Sequence, residues 1–167
     1  MNADAHVNLE TLNHAALKQA MGCFATGVTV VSACFDGVDH AMTCNSFNTV
    51  SLDPPMVLWS IRKVSHSHHA FTEGGGYTVS ILAETQRDLA MKFARGSLEE
   101  RFAGVPTTRL STGRLMLTGA VAWFDCAIEK VVEAGDHDVL IGRVLTFASN
   151  GQTPLGYLRG SLIDLVE

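Results

Sequence analysis

Six hydroxyl and amide side chains crowd the stretch AMTCNSFNTVSLDPP: Thr43, Asn45, Ser46, Asn48, Thr49 and Ser51. Two runs of strand character flank it, VTVVSACF from Val28 and MVLWSI from Met56, and Pro54 and Pro55 bias the chain before them toward extended conformations. An extended segment that displays hydroxyls, amides and backbone donors can line the polar edge of a planar heterocycle. A polar edge strand that bonds only water and its neighbours has the same composition. Just past the second run, IRKVS sets Arg62, Lys63 and Ser65 where a cation and a hydroxyl suit a phosphate, or where a solvated basic turn would lie.

Other candidates carry weaker chemistry. GDHD places His137 in a turn between two β-rich runs, where a histidine is most often a solvated polar residue. His66, His68 and His69 follow i, i+2, i+3 spacing on a polar segment with no matching carboxylate or thiol, so a solvated loop is expected there and no metal site. Gly74 to Gly76 read as a flexible strand entry, because no helix opening with a Lys/Ser pair follows to make a phosphate cradle. Walker, dinucleotide-fold, nucleophile-elbow and zincin signatures are absent. Cys23, Cys34, Cys44 and Cys126 include no C-x-x-C pair and are expected to be reduced thiols.

The elements that must position these residues alternate in period. LETLNHAALKQAMGCFATG puts Leu9, Leu12, Ala16, Ala20 and Cys23 on one helical face, with Gly27 as a stop. Asp36 and Gly37 mark a tight turn between VTVVSACF and a strand resuming near His40. MVLWSI reads as a central strand, SHSHHAFTEGGG as a loop with a short helix, and YTVSIL as a strand. ETQRDLAMKFA carries Leu89, Ala90 and Phe93 at helical spacing. RGSLEERFAGVPTTRLSTGRL is mixed and predicts a short helix with an irregular connection. Three β-rich runs follow: LTGAVAWFDCAIEKVVE, DVLIGRVLTFAS and PLGYLRGSLIDLV. The expectation is a single domain over residues 1–167, mainly β with flanking helices.

Composition narrows the function classes. A chain of 167 residues with 47% hydrophobic and 17% charged content can bury a sizeable core. Its formal charge of -5, without a Lys/Arg run, argues against nucleic acid as a partner. No basic leader followed by an apolar stretch opens the sequence, and no apolar run approaches the roughly 18 residues of a membrane span, so no membrane partner and a cytoplasmic location are expected.

Across FATGVTVVSA, MTCNSFNTVSLDPPMVLWSI, GGYTVSILAETQRDLAMKFA, GAVAWFDCAIEKVVEAGDHDVLIGRV and PLGYLRG, the chain resembles the short-chain flavin reductases, the reductase components of two-component flavin-dependent monooxygenases. The resemblance implies an FMN-binding split β-barrel of Greek-key type. It implies that Thr43, Cys44, Asn45 and Ser46 lie along the isoalloxazine ring, that Thr49, Val50 and Ser51 help hold the flavin, and that Lys63 and Ser65 lie near its phosphate. It places His137 on the nicotinamide side as a positioning group. The implied cofactors are exchangeable FMN or FAD with NADH or NADPH, and the implied assembly is a homodimer that passes reduced flavin to a partner monooxygenase. Two other functions fit the same fold: a flavoredoxin-like electron carrier with tightly bound FMN, and an FMN-dependent oxidase of a small amine or vitamin. Cys44 stands where alanine is usual in the family, and Gly156 where a bulkier residue is usual.

Overall fold

The computed structural model describes residues 12–165. Helix α1 (His14–Met21) opens the described chain, capped by the Asn13 side chain, which accepts from the amides of Ala15 and Ala16. Next come β1 (Thr26–Gly27), β2 (Thr29–Phe35), β3 (Val38–Cys44), β4 (Asn48–Leu52) and β5 (Pro55–Arg62). A short helix α2 (His68–Glu73) leads into β6 (Gly76–Ile81), and a 3-10 turn at Glu84–Gln86 leads into α3 (Arg87–Arg95). α4 (Leu98–Arg101), β7 (Thr107–Arg109) and β8 (Leu115–Leu117) precede the two long strands β9 (Ala122–Ala134) and β10 (His137–Ser149), and β11 (Leu155–Leu158) and β12 (Ser161–Asp164) close the fold.

The main sheet runs β3-β2-β6-β9-β10-β5-β4, antiparallel at every pair. β3 and β4 are its two edges, yet only Asn45, Ser46 and Phe47 separate them in sequence. Four residue steps from Cys44 to Asn48 reach at most about 14 Å, whereas a flat sheet with six inter-strand spacings would hold its edges roughly 29 Å apart. The sheet must therefore roll until its edges nearly meet. The result is a barrel split between β3 and β4, with the polar stretch as the link across the split.

The barrel interior is filled by Val31, Ala33, Val57, Trp59, Ile61, Tyr77, Val79, Cys126 and Leu140, with Phe71 of α2. Trp59 meets Phe71 and Tyr77 edge to face, at centroid separations of 4.9 and 5.8 Å. β2 is buried on both faces: Val31 and Ala33 point inward, while Val28 and Val30 join Ala41, Leu82, Ala90, Phe93, Leu117 and Leu155 in a second core beneath α3 and the β11–β12 hairpin. This double burial explains why VTVVSACF reads as a continuous apolar run and does not alternate.

Several local expectations change. The first helix ends at Met21, well before Gly27, and none of its described residues is buried; Leu9 lies outside the described residues. The connection after α3, expected to be irregular, contains the β7–β8 hairpin, held on the outer face by Leu117 N–H donating to Ser80 Oγ. PLGYLRGSLIDLV is two strands, turned at Arg159 and Gly160, both of positive φ. Of the histidines of SHSHH, His66 lies in an exposed turn as expected, and the other two do not belong to a loop. His68 and His69 open α2; the His68 ring lies 2.7 Å from Asp138, and His69 packs edge-on against Phe35 and His40.

Gly142 marks a tight point of the barrel. A Cβ there would lie 2.4 Å from Tyr77 Oη and 3.0 Å from Cys126 Cβ, and Tyr77 is fully buried. Gly142→Ala is expected to destabilise the fold by about 1–3 kcal/mol through overpacking, measured by urea denaturation. An unchanged midpoint would show that the Tyr77 ring moves freely aside.

Candidate functional site

β3 is a sheet edge, so backbone groups on its open side have no partner strand. Three adjoining cavities follow that edge. The first, about 510 Å³, lies between Thr43, Cys44 and Asn45 on one side, Ala90, Met91, Ala94 and Arg95 of α3 on another, and Tyr157 and Gly160 to Leu162 of the last hairpin. The second, about 990 Å³, continues past Asn45 and Ser46 under Lys18, Gln19, Cys23 and Phe24, bounded by Arg159. The third, about 720 Å³, continues the other way past Met42 and Thr43 to Ser65, His66, Ser67, Ser97 and Arg101. Thr43, Ala94 and Arg95 border the first and third, and Asn45, Tyr157 and Gly160 the first and second, so the three make one groove.

Much of the polar stretch is occupied in building this groove. Thr43 Oγ1 donates to the Ala90 carbonyl at 2.6 Å, tying β3 to α3. Ser46 Oγ both accepts from Ser60 N–H at 3.0 Å and donates to the Ser60 carbonyl at 3.2 Å, fastening the link to β5. Thr29 Oγ1 donates to the Cys44 carbonyl at 3.0 Å, and the Cys44 sulfur lies 3.1 Å away; burial pushes that thiol up from its ordinary pKa, which keeps it neutral and unreactive. Asn45 is exposed and its amide has no partner among the described residues. Thr26 Oγ1, on the wall of the second cavity, is buried without a hydrogen bond. The groove thus offers an open strand edge, a free amide and an unpaired hydroxyl, a donor and acceptor set that fits the polar edge of a flavin.

The charges along the groove are of one sign. No Asp or Glu among the described residues lines any of the three cavities, while Lys18, Arg95, Arg101 and Arg159 do. Among the described residues none of these four has a carboxylate partner. Lys63, Arg87, Arg109, Arg114 and Arg143, all outside the groove, are each paired with one. A chain of net charge -5 therefore keeps uncompensated cations along one concavity, which suits an anionic ligand.

The other sequence candidates divide. Ser65 lines the third cavity. Thr49, Val50 and Ser51 lie on β4, an edge strand bulged between Thr49 and Ser51, and line none of the three cavities; Thr49 and Val50 are exposed. Lys63 pairs with Glu133 and also stands outside the cavity walls. Its amide donates to the Asp136 carbonyl at 3.0 Å, and His137 sits opposite Arg62 in the β5–β10 register, so the RKVS and GDHD turns form one corner. His137 Nδ1 lies 2.7 Å from the Asp136 carboxylate, which the histidine holds below the usual carboxylate range. Asp138 Oδ2 meets His68 Nε2, tying that corner to α2, next to Ser65 and Ser67. Gly156 does not line the groove; a Cβ there would come within 2.8 Å of Ile163 and 2.9 Å of Leu165, so hairpin packing accounts for it.

The α3 wall, Arg101 and the Tyr157 to Ser161 turn were not among the sequence candidates. GYLRG carried the only usable signal, an aromatic and a cation at a glycine-flanked turn.

The flavin reductase like domain matches residues 21–165. The chain is 45% identical over 146 residues to the reductase component of the flavin-dependent trigonelline monooxygenase of Acinetobacter baylyi, covering 87% of this chain and 47% of that protein. It is 36% identical over 162 residues to the reductase subunit of a flavin-dependent monooxygenase of Rhodococcus jostii, covering 96% of this chain and 82% of that one. The crystal structure of the flavin reductase component of a bacterial two-component tryptophan halogenase superposes with a TM-score of 0.86 at 36% identity, over 93% of this chain and 99% of that chain. The chain spans about half the length of two of the curated relatives that it matches, 49% and 47%.

Proposed function

The chain belongs to the flavin reductase-like family, and we propose that it reduces exchangeable FMN or FAD with NADH or NADPH and releases the reduced flavin to a partner flavin-dependent monooxygenase. The observation that carries this reading is the groove along the open edge of β3, polar on its floor and lined by cations without carboxylate partners. Bound flavin would supply the ring that accepts hydride from the reduced nicotinamide. The chain's own task is orientation. Thr43 and Ser46 fix the floor, Asn45 and the β3 edge meet the polar ring edge, and Ser65 stands toward the phosphate end. Thr49, Val50, Ser51 and Lys63 remain candidate flavin contacts from outside the cavity walls. Cys44 supplies neutral bulk, because a thiol with a raised pKa is no nucleophile.

His137 positions the nicotinamide. Nδ1 lies against the Asp136 carboxylate, which fixes the ring and leaves Nε2 free to face the nicotinamide carboxamide. A homodimer is supported by apolar surface: Leu52 is 95% exposed, Phe147 67% and Leu145 53%. The register sets Leu145 and Phe147 just beyond the β4–β5 turn that carries Leu52. Phe47, Phe124 and Phe147 stack in a row, at centroid separations of 5.8 and 6.2 Å, that ends in solvent. An exposed patch of this kind marks an association surface.

Added FMN or FAD is expected to raise the rate of NADH or NADPH oxidation saturably, followed as loss of reduced-nicotinamide absorbance. Retention of one flavin through gel filtration with no stimulation by added flavin would make the protein an electron carrier. His137→Ala is expected to slow anaerobic flavin reduction in stopped flow and to raise the apparent KM for NADH, with flavin affinity unchanged; identical reduction kinetics would remove His137 from the site. Sedimentation should give a dimer for the wild type and a monomer for Phe147→Asp, whereas a monomeric wild type would refute the dimer.

A further inference from the structure

The third cavity is larger than a flavin mononucleotide needs. If the isoalloxazine lies along Thr43 to Ser46 and the ribityl chain runs toward Ser65, a single terminal phosphate would enter only the near side of a space of about 720 Å³. Whole small-molecule sites occupy roughly 300–1,000 Å³. The surplus has a definite chemistry. Arg95 stands on the border between the first and third cavities, exposed and with no hydrogen bond or carboxylate partner among the described residues. Arg101 stands further in, its Nε donating to the Gly96 carbonyl at 2.8 Å and its Nη1 to the Ala41 carbonyl. Those two bonds fix the guanidinium plane and leave Nη2 unused, and the group is charged at any working pH.

We propose that Arg95 and Arg101 form a diphosphate subsite in the third cavity, with room beyond it for the adenosine of a flavin dinucleotide, so that the groove prefers FAD to FMN. The inference rests on the flavin reading of the first cavity and adds its specificity. Two cations set one after the other along a channel match two phosphates in series, whereas a phosphate monoester can engage both only by chelation at one end. Arg95 is the discriminating residue because it has no structural bond to lose; Arg101 also supports β3, and its replacement would confuse binding with folding.

The test is titration of the protein with oxidised riboflavin, FMN and FAD and with ADP, for the wild type, Arg95→Gln and Arg95→Lys. The expected order of affinity is FAD, then FMN, then riboflavin. Arg95→Gln should weaken FAD about tenfold, the scale of one charge-assisted hydrogen bond, weaken FMN less and leave riboflavin unchanged. Arg95→Lys should recover part of the loss, and ADP should displace FAD but not riboflavin. Riboflavin that binds as tightly as FAD overturns the subsite and leaves the flavin reading standing. Failure of all three flavins to bind overturns both. ADP that competes with NADH but not with FAD would assign the cavity to the nicotinamide dinucleotide and overturn the proposal.

Discussion

Three residues, Asn45, Ser46 and Phe47, join the two edges of a seven-stranded sheet, and that short link decides the rest of the structure. Their reach is too small for an open sheet, so the strands roll, and rolling turns one face into a closed core around Trp59, Tyr77 and Phe71. Rolling also creates an unpaired strand edge at the seam. Such edges invite aggregation unless they are covered, and here α3 and the β11–β12 hairpin stand over β3 without closing on it. The groove is the space left between an edge that must be covered and covers that are held off by the side chains of the second core.

The crowded hydroxyls of the link then serve two ends. Ser46 satisfies both backbone groups of Ser60, and Thr43 anchors the first turns of α3, so each removes a buried polar group that would otherwise be costly. What remains free for a ligand is the backbone edge and the Asn45 amide. A site built in this way is rigid where the protein bonds itself and open where it does not, which is the preorganisation that ring-to-ring hydride transfer requires.

Legibility in the sequence followed the range of the interactions. The Asp36–Gly37 turn was readable because positive φ at two successive residues is a local demand that a D-G pair meets. The link was readable as polar, and its neighbours as strands, because proline and β-branched residues act locally. The β7–β8 hairpin was not, since Thr107–Arg109 is held by long-range support: β8 rests on Ser80 Oγ, and Arg114, in the loop between the two strands, pairs with the buried Asp125 of β9. α1 was overextended for a similar reason, because periodicity suggested a packed face that nothing among the described residues covers. The polar segment divided at a point that no spacing rule marks: Thr43 to Ser46 stay on the groove side of the seam, and Thr49 to Ser51 cross to the far edge.

Charge was the least legible feature, because a net value of -5 conceals how pairs form in space. Asp39, Glu129, Glu133 and Asp164 lie far in sequence from the cations they neutralise, and only the fold brings them together. Exposed pairs of this kind add little stability. Their consequence is a subtraction. Once they cancel, four of the cations left without a carboxylate line the groove, where low-dielectric walls concentrate their field. The carboxylate-free lining of the seam suits a phosphate-bearing ligand. An open groove of this kind suits the proposed exchange of flavin with a separate oxygenase, which a closed, tightly complementary pocket would defeat.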